Sequence, residues 1–199
     1  MKSLVKALLV LVISLIVGIG SALALIYHPP VMPGVKNGSW VTNLKVGSPD
    51  AGMYVRAVVA RVGLFALNKT ETIYYSAYED QDGNRLRTNC DYSITGRDIP
   101  ARWWSLTVYG EDNFLIPNDQ RIYSYNMTNL KRKPASRQGG SDGSFAISVS
   151  QSPKPGNWLP AGAADQNLNI TLRCYNPEPV LYQQPDKVEL PRIIKEGCR

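Results

Sequence analysis

A long uncharged segment near the N-terminus constrains this 199-residue chain more than any other feature. Residues 7–27 carry no charge over 21 positions, and Lys2 and Lys6 precede them. At about 1.5 Å of rise per residue, a helix of this length crosses a hydrocarbon core of about 30 Å. Two prolines at 29 and 30 then end the helix, because proline has no backbone N–H to donate. The sequence therefore predicts a single transmembrane helix.

Charge at the ends of this segment predicts its orientation. Lys2 and Lys6 flank one end, and no Lys or Arg lies between residues 28 and 35, so the positive-inside rule places residues 1–6 in the cytoplasm. A signal peptide cleaved near Ala24 is the alternative, because Ala22-Leu23-Ala24 matches the small-x-small cleavage pattern. The run is longer than the roughly 7–15 residues of a signal h-region, which favours an uncleaved anchor. Either way, the rest of the chain is exported.

One face of the predicted helix carries small residues. Ser14, Gly18 and Ala22 recur at a spacing of four, and small residues at that spacing let two membrane helices approach closely. Self-association, or docking on a partner helix, is therefore one prediction. The alternative is the ordinary abundance of Gly, Ala and Ser in membrane helices.

The residues after the anchor are enough for one domain with a single core. Residues 28–49 are rich in Pro and Gly, which predicts a tether, and residues 50–199 are assigned to the exported domain. Residues 50–67 repeat apolar side chains every three or four positions, and Asn68 follows as an end signal. This pattern predicts an amphipathic helix packed against a sheet.

From residue 72 onward, apolar and polar residues alternate, which is the period of a half-buried strand. Cys90, Tyr92 and Ile94 alternate with polar neighbours, and Asp82-Gly83 predicts a hairpin turn before them. Other strands are predicted at residues 72–79, 104–109, 114–116, 122–125, 144–150 and 167–174. Roughly seven or eight short strands predict a mainly β domain, an antiparallel β-sandwich of jelly-roll type.

The three cysteines leave several pairings open. Cys90 and Cys174 share the phase of apolar neighbours, so both side chains are predicted to point inward. A Cys90–Cys174 bridge, two reduced core thiols and a Cys90–Cys198 bridge that holds the C-terminus are all compatible with an exported domain.

Several kinds of site are excluded by residue type. His28 is the single histidine and lies at the membrane exit, so catalytic triads and multi-histidine metal sites have no support. The acidic stretch at 79–84 lacks the distal Glu of a calcium loop and is interpreted as a hairpin turn. We therefore predict no metal and no cofactor.

A basic stretch carries much of the net charge of +6. Arg121, Lys131, Arg132, Lys133 and Arg137 have no acidic residue between them. Such a stretch contacts anionic lipid headgroups or an acidic polymer, or it is a solvated loop. A nucleic-acid partner is not predicted, because the domain is exported and no recognition motif accompanies the charge.

Arg, Trp and Asn form the candidate binding set, which consists of Arg102, Trp103, Asn157, Trp158 and Arg173. Because side chains alternate along a strand, one of the two tryptophans at 103 and 104 is predicted to point into the core and the other outward. An outward Trp beside Arg102 would stack on a sugar ring or seat a partner's side chain. The alternative is that these residues serve packing, with the arginines paired to carboxylates.

Several ordered motifs resemble the bacterial family called domain of unknown function 1214. They are CDYSITG at 90–96, ARWWSLTVY at 101–109, DGS at 142–144, NWLP at 157–160 and LRCYNP at 172–177. The resemblance implies a jelly-roll β-sandwich, a bacterial source and no established reaction. In longer relatives this domain follows domain of unknown function 1254, which an anchor replaces here. A bacterial source makes the membrane the inner membrane and the exported domain periplasmic.

Two function classes are expected from these features. The first is an envelope module that binds or assembles a partner protein, held to membrane lipid by its anchor. The alternative is an enzyme that acts on a carbohydrate or a lipid with carboxylate, Tyr or Arg groups, because imidazole is absent from the domain.

Overall fold

The fold, taken from a computed structural model, is described for residues 2–27, 34–61, 63, 66–132 and 143–199. Its elements are α1 (Lys2–Tyr27), β1 (Val35–Asn37), β2 (Trp40–Thr42), α2 (Met53–Arg61), β3 (Thr72–Ala77), β4 (Cys90–Gly96), β5 (Ala101–Gly110), β6 (Ser124–Asn126), β7 (Phe145–Ser150), β8 (Asn157–Pro160), β9 (Leu168–Pro177), α3 (Pro179–Gln183) and β10 (Arg192–Cys198).

Helix α1 is long and apolar enough to cross a membrane. Its 26 residues give a length of about 39 Å, and none of its residues is buried against the rest of the chain. Ser14 and Gly18 are exposed on this helix and Ala22 is half-buried. Association through that face stays a prediction.

The strands form two sheets. The larger has the order β1-β2-β3-β9-β5-β6, and the smaller has the order β10-β4-β7-β8. Neighbouring strands are antiparallel, except that β7 and β8 are parallel. The mainly β, two-sheet class predicted from the alternation is confirmed, while the jelly-roll connectivity stays a prediction.

The core lies between the two sheets. In β4, Cys90, Tyr92 and Ile94 are buried in the predicted phase. Trp104 of the larger sheet is 0% exposed, and its ring centroid lies 5.1 Å from that of Phe145 in the smaller sheet. The other face of each strand in the larger sheet is left for polar residues.

The described part of the predicted tether belongs to the sheet. Strands β1 and β2 pair with each other, and β2 pairs with β3. Trp40 is buried in the core and donates its indole N–H to the Pro191 carbonyl at 2.6 Å. The folded domain thus starts near residue 35 rather than at residue 50. Composition alone suggested a tether because turn residues separate these two short strands.

Helix α2 is shorter than the predicted helix at 50–67. It ends at Arg61, and Gly63 follows with φ of +68°, a conformation that glycine adopts without steric cost at a helix C-terminus. The Gly63 N–H donates to the Ala60 carbonyl at 3.2 Å. Val62 and Phe65, counted in the predicted apolar stripe, lie outside the described residues. The main contacts of α2 are with the end of α1, not with the sheet as predicted.

The predicted hairpin between residues 72–79 and 90–96 is wrong, because β3 and β4 belong to different sheets. The turn itself is present. Glu79 bridges to Arg85, and the buried Asp80 carboxylate accepts the backbone N–H groups of Asp82 and Asn84, each at 2.9 Å. Among the described residues, no group of three His, Cys, Asp or Glu side chains is placed to hold a metal ion.

Two of the predicted strands also differ. At residues 114–116 the structure has only a bridge from Leu115 to Tyr109, and the strand predicted at 122–125 is β6, which begins at Ser124. Strand β10 and helix α3 were not predicted from the sequence.

The disulfide joins Cys90 to Cys198. It lies at the far end of the β4–β10 pair, where these two residues are register partners, so it holds the last strand to the sheet. Cys174 is free and buried, and this burial raises the pKa of its thiol well above the ordinary value. The sequence left three alternatives open, and the structure has the Cys90–Cys198 bridge, which holds the C-terminus.

Candidate functional site

The structure divides the predicted binding set between the two sheets. Arg102 and Trp103 lie on β5 and Arg173 lies on β9, in the larger sheet. Asn157 and Trp158 lie on β8, at the edge of the smaller sheet. The five residues therefore do not form one site.

Asn157 has a structural role. It is 5% exposed. Its Oδ1 accepts the Lys131 N–H at 2.8 Å, and its Nδ2 donates to the carbonyls of Lys131 and Ala146 at 2.7 and 2.9 Å. These bonds hold the Lys131 backbone to β8 and use both N–H groups of the side-chain amide.

The tryptophans also serve packing, in part. Trp158 is buried and donates its indole N–H to the Ser150 hydroxyl at 2.9 Å. Trp104 points into the core and Trp103 outward, as the alternation predicted, and the Trp103 ring meets the Tyr175 ring edge-on at 5.2 Å. Arg102 is exposed at the start of β5.

The basic stretch is partly neutralised. The N–H groups of both terminal nitrogens of Arg132 donate to the Asp98 carboxylate, each at 2.7 Å, although no acidic residue lies near Arg132 in the sequence. Lys131 is held by Asn157, and Arg121 is exposed with φ of +55°. Lys133 and Arg137 lie outside the described residues.

A groove of about 230 Å³ lies on the outward face of the larger sheet. Its described lining consists of Gly63, Tyr74, Ser76, Tyr78, Tyr109, Asn113, Asn169, Thr171 and Arg173. Most of these residues occupy alternate positions of β3, β9 and β5, the three central strands. Register places Tyr74 opposite Arg173, and Tyr109 opposite Asn169. Because side chains alternate along each strand, hydroxyl groups, amides and one guanidinium lie together on this face of the sheet.

Arg173 is the charged group of the groove. Its Nη2 donates to the Tyr109 hydroxyl at 2.6 Å and its Nη1 donates to Thr107 Oγ1 at 3.3 Å. The guanidinium also lies 5.3 Å from the Tyr109 ring centroid. None of the ion pairs among the described residues involves Arg173. Its positive charge is therefore positioned by neutral partners and not cancelled by a carboxylate, contrary to the predicted pairing.

Tyr74 closes the groove beside Arg173. Burial raises the pKa of its phenol, although a hydrogen bond with the Leu67 backbone and the positive charge of Arg173 oppose this effect. A phenol is protonated at neutral pH, and the raised pKa keeps the Tyr74 hydroxyl in that state. No Asp or Glu is part of the described lining, so the groove favours an anion.

Sequence reasoning found Arg173 but missed its neighbours. Tyr74, Tyr78 and Tyr109 stand in strands that were recognised, in the phase opposite to the buried residues. This opposite phase was the sequence signal that could have indicated their outward position. Which outward residues lie side by side depends on β9 pairing with both β3 and β5, and this order is a non-local property.

The fold and the groove define a class of protein. An apolar helix precedes a two-sheet β domain, and the outward face of the larger sheet carries a groove with one cationic side chain, Arg173. Residues 71–179, more than half of the chain, match the family described as "Protein of unknown function (DUF1214)". The chain belongs to this family, as the motifs indicated. All lining residues on β3, β5 and β9 fall within the matched range.

Two solved structures are similar to this chain. The VPA0106 protein from Vibrio parahaemolyticus aligns with a TM-score of 0.56 and 21% identity, over 73% of this chain and 36% of that chain. It shares the fold, and this chain spans about a third of its length. A putative uncharacterized protein from Burkholderia cenocepacia aligns with a TM-score of 0.41 and 18% identity, over 63% and 29% of the two chains. No curated protein matches.

Proposed function

We propose that this protein is a membrane-anchored binding module. The groove on the outward face of its larger sheet binds a small ligand that carries both a negative charge and hydroxyl groups. One observation carries the proposal: the Arg173 guanidinium is fixed by Tyr109 and Thr107, and no carboxylate of the described lining neutralises it. In anion recognition, charge-assisted hydrogen bonds from a positioned guanidinium are stronger than hydrogen bonds between neutral groups.

The location belongs to the proposal. Helix α1 anchors the chain in a bacterial inner membrane with residues 1–6 in the cytoplasm and the β domain in the periplasm. Length, composition and the two N-terminal lysines support this placement. Secretion after cleavage near Ala24 is the alternative. The ligand is then a component of the envelope, and a partner protein that carries such a group would be bound in the same way.

The groove favours binding over catalysis. The described lining has no carboxylate and no imidazole to serve as a general acid or base. The Tyr74 phenol, whose pKa is raised by burial, is protonated at neutral pH. An enzyme that acts on a carbohydrate or a lipid is therefore the less supported alternative.

Calorimetric titration of the full-length protein in a neutral maltoside detergent tests this proposal. We expect sn-glycerol 3-phosphate to bind and glycerol not to bind. Arg173→Gln should weaken the affinity at least about tenfold, because losing charge-assisted hydrogen bonds costs roughly 1.5 to 3 kcal/mol. Tyr109→Phe should weaken it less, since the guanidinium keeps its charge but loses one positioning partner.

Arg102→Gln is the matched control, because Arg102 is an exposed arginine near the start of the adjacent strand β5 and is not part of the described groove lining. It should bind like the wild type. Circular dichroism melting of each variant verifies that the fold is kept. Equal losses in Arg102→Gln and Arg173→Gln, or binding of glycerol as tight as that of its phosphate, would contradict the proposal.

A further inference from the structure

The position of the groove relative to α1 identifies the source of its ligand. We propose that the groove receives the phosphodiester headgroup of an anionic phospholipid from the leaflet in which α1 ends. This inference rests on the proposed function and adds to it that the ligand is a component of the membrane itself. The shared chemistry is a phosphate ester, which a soluble metabolite also carries, so the test below separates the two sources.

The first support is the contact between α2 and the end of α1. The Arg61 Nη1 donates to the carbonyls of Ile26 and Tyr27 at 2.9 and 3.2 Å, and its guanidinium lies 4.6 Å from the Tyr27 ring centroid. These are the last carbonyls of α1, which have no partners within the helix. Arg61 therefore ties α2 to the end of α1, at the level where the proposed anchor leaves the hydrocarbon.

The second support is the distance from that contact to the groove. Gly63 lines the groove and follows Arg61 by two residues, so their Cα atoms are at most about 7 Å apart. This short backbone step and the Arg61 side chain are all that separate Gly63 from the last carbonyls of α1.

The surface of α2 is suited to this interface. Met53 and Tyr54 are 78% and 47% exposed on α2, and Arg56 and Arg61 lie on the same short helix. Apolar and aromatic side chains beside basic ones are typical of segments that lie in the headgroup region.

The size and chemistry of the groove match a headgroup. Its volume of about 230 Å³ is below the roughly 300–1,000 Å³ of sites for larger organic ligands. The Asn169 amide already donates to the Gly110 carbonyl at 3.2 Å. Arg173 can pair with the phosphodiester oxygens, while the hydroxyls of Ser76 and Thr171 offer hydrogen bonds to glycerol hydroxyls. Phosphatidylglycerol has both parts. Phosphatidylcholine brings a quaternary ammonium toward the guanidinium, which disfavours it.

Native mass spectrometry of the full-length protein in maltoside tests the inference with defined probes. The lipids are dioleoyl phosphatidylglycerol and dioleoyl phosphatidylcholine, and sn-glycerol 3-phosphate is the soluble probe. We expect the wild type and Arg102→Gln to retain phosphatidylglycerol at least about tenfold more tightly than Arg173→Gln does, and to prefer it over phosphatidylcholine. Tyr109→Phe serves as a second groove variant if Arg173→Gln folds poorly, and it should weaken retention less.

The other outcomes separate this inference from the proposed function. If Arg173→Gln loses glycerol 3-phosphate but retains phosphatidylglycerol like the wild type, the groove takes a soluble anion and the lipid inference is overturned. If the wild type binds neither phosphate ester, or if Arg173→Gln binds both unchanged, the proposed function fails and the lipid inference fails with it.

Discussion

At the scale of single residues, the structure separates polar groups that bind each other from polar groups that are available to a ligand. Asn157 and Arg173 were both members of the predicted binding set. Asn157 is buried and makes all its hydrogen bonds to backbone groups. Arg173 is held by side chains at one edge of its guanidinium and borders a groove. The second arrangement leaves charge and donors for another molecule.

The role of Asn157 gives a stability prediction. Asn157→Ala should lower the free energy of unfolding by on the order of 2 kcal/mol, because three partly buried hydrogen bonds to the backbone of Lys131 and Ala146 are lost. Arg102→Ala should change it by less than about 0.5 kcal/mol, as is usual at an exposed position. Chemical denaturation measures both. An Asn157→Ala protein of wild-type stability that has lost ligand binding would show that Asn157 belongs to a site after all.

At the scale of elements, the Cys90–Cys198 bridge acts on a strand that sequence patterns did not reveal. Strand β10 pairs with β4 at the edge of the smaller sheet, and most of its residues are exposed or half-buried. Little apolar burial therefore holds its last residues. The bridge supplies that constraint, and it closes a loop with a sequence separation of 108 residues.

Removing the bridge should destabilise the domain. Chain-entropy arguments give about 4 to 5 kcal/mol for a loop of roughly 100 residues, and measured losses are about 2 to 5 kcal/mol. We therefore expect Cys198→Ser to unfold at a clearly lower denaturant concentration than the wild type. The reductant dithiothreitol should bring the wild type to the same midpoint and leave Cys198→Ser unchanged. A wild-type midpoint that does not respond to reduction would argue against the bridge.

The elements also show how far the sequence could be interpreted. Alternation predicted the phase of β4, β5 and β9 correctly, because side-chain direction is a local property of a strand. It could not predict that β3 and β4 enter different sheets, since pairing depends on residues distant in sequence. Helix α2 was predicted too long, because the apolar repeat continues past Gly63 and only the backbone conformation there shows the end.

The same limit applies to the groove. Arg173 was identified from its residue type, but the tyrosines beside it were not, because their neighbourhood is created by β9 lying between β3 and β5. The basic stretch shows the converse error. Arg132 had no acidic neighbour in the sequence, yet the fold brings Asp98 within 2.7 Å of it.

At the scale of the whole molecule, α1 and the groove are connected through α2. Helix α1 is long and apolar enough to cross a membrane. Arg61 of α2 donates to the carbonyls of Ile26 and Tyr27 at the end of α1, and Gly63, two residues later, lines the groove.

The central claim is that the groove on the outward face of the larger sheet is the ligand site. One measurement tests this claim most directly. Backbone amide NMR shifts of the full-length protein in maltoside micelles should be recorded while sn-glycerol 3-phosphate is added. The account predicts shift changes at the outward positions of β3, β5 and β9, centred on Tyr74, Thr171 and Arg173, and none at Asn157 or Trp158. Saturable changes centred on β8, or no changes in the larger sheet, would contradict it.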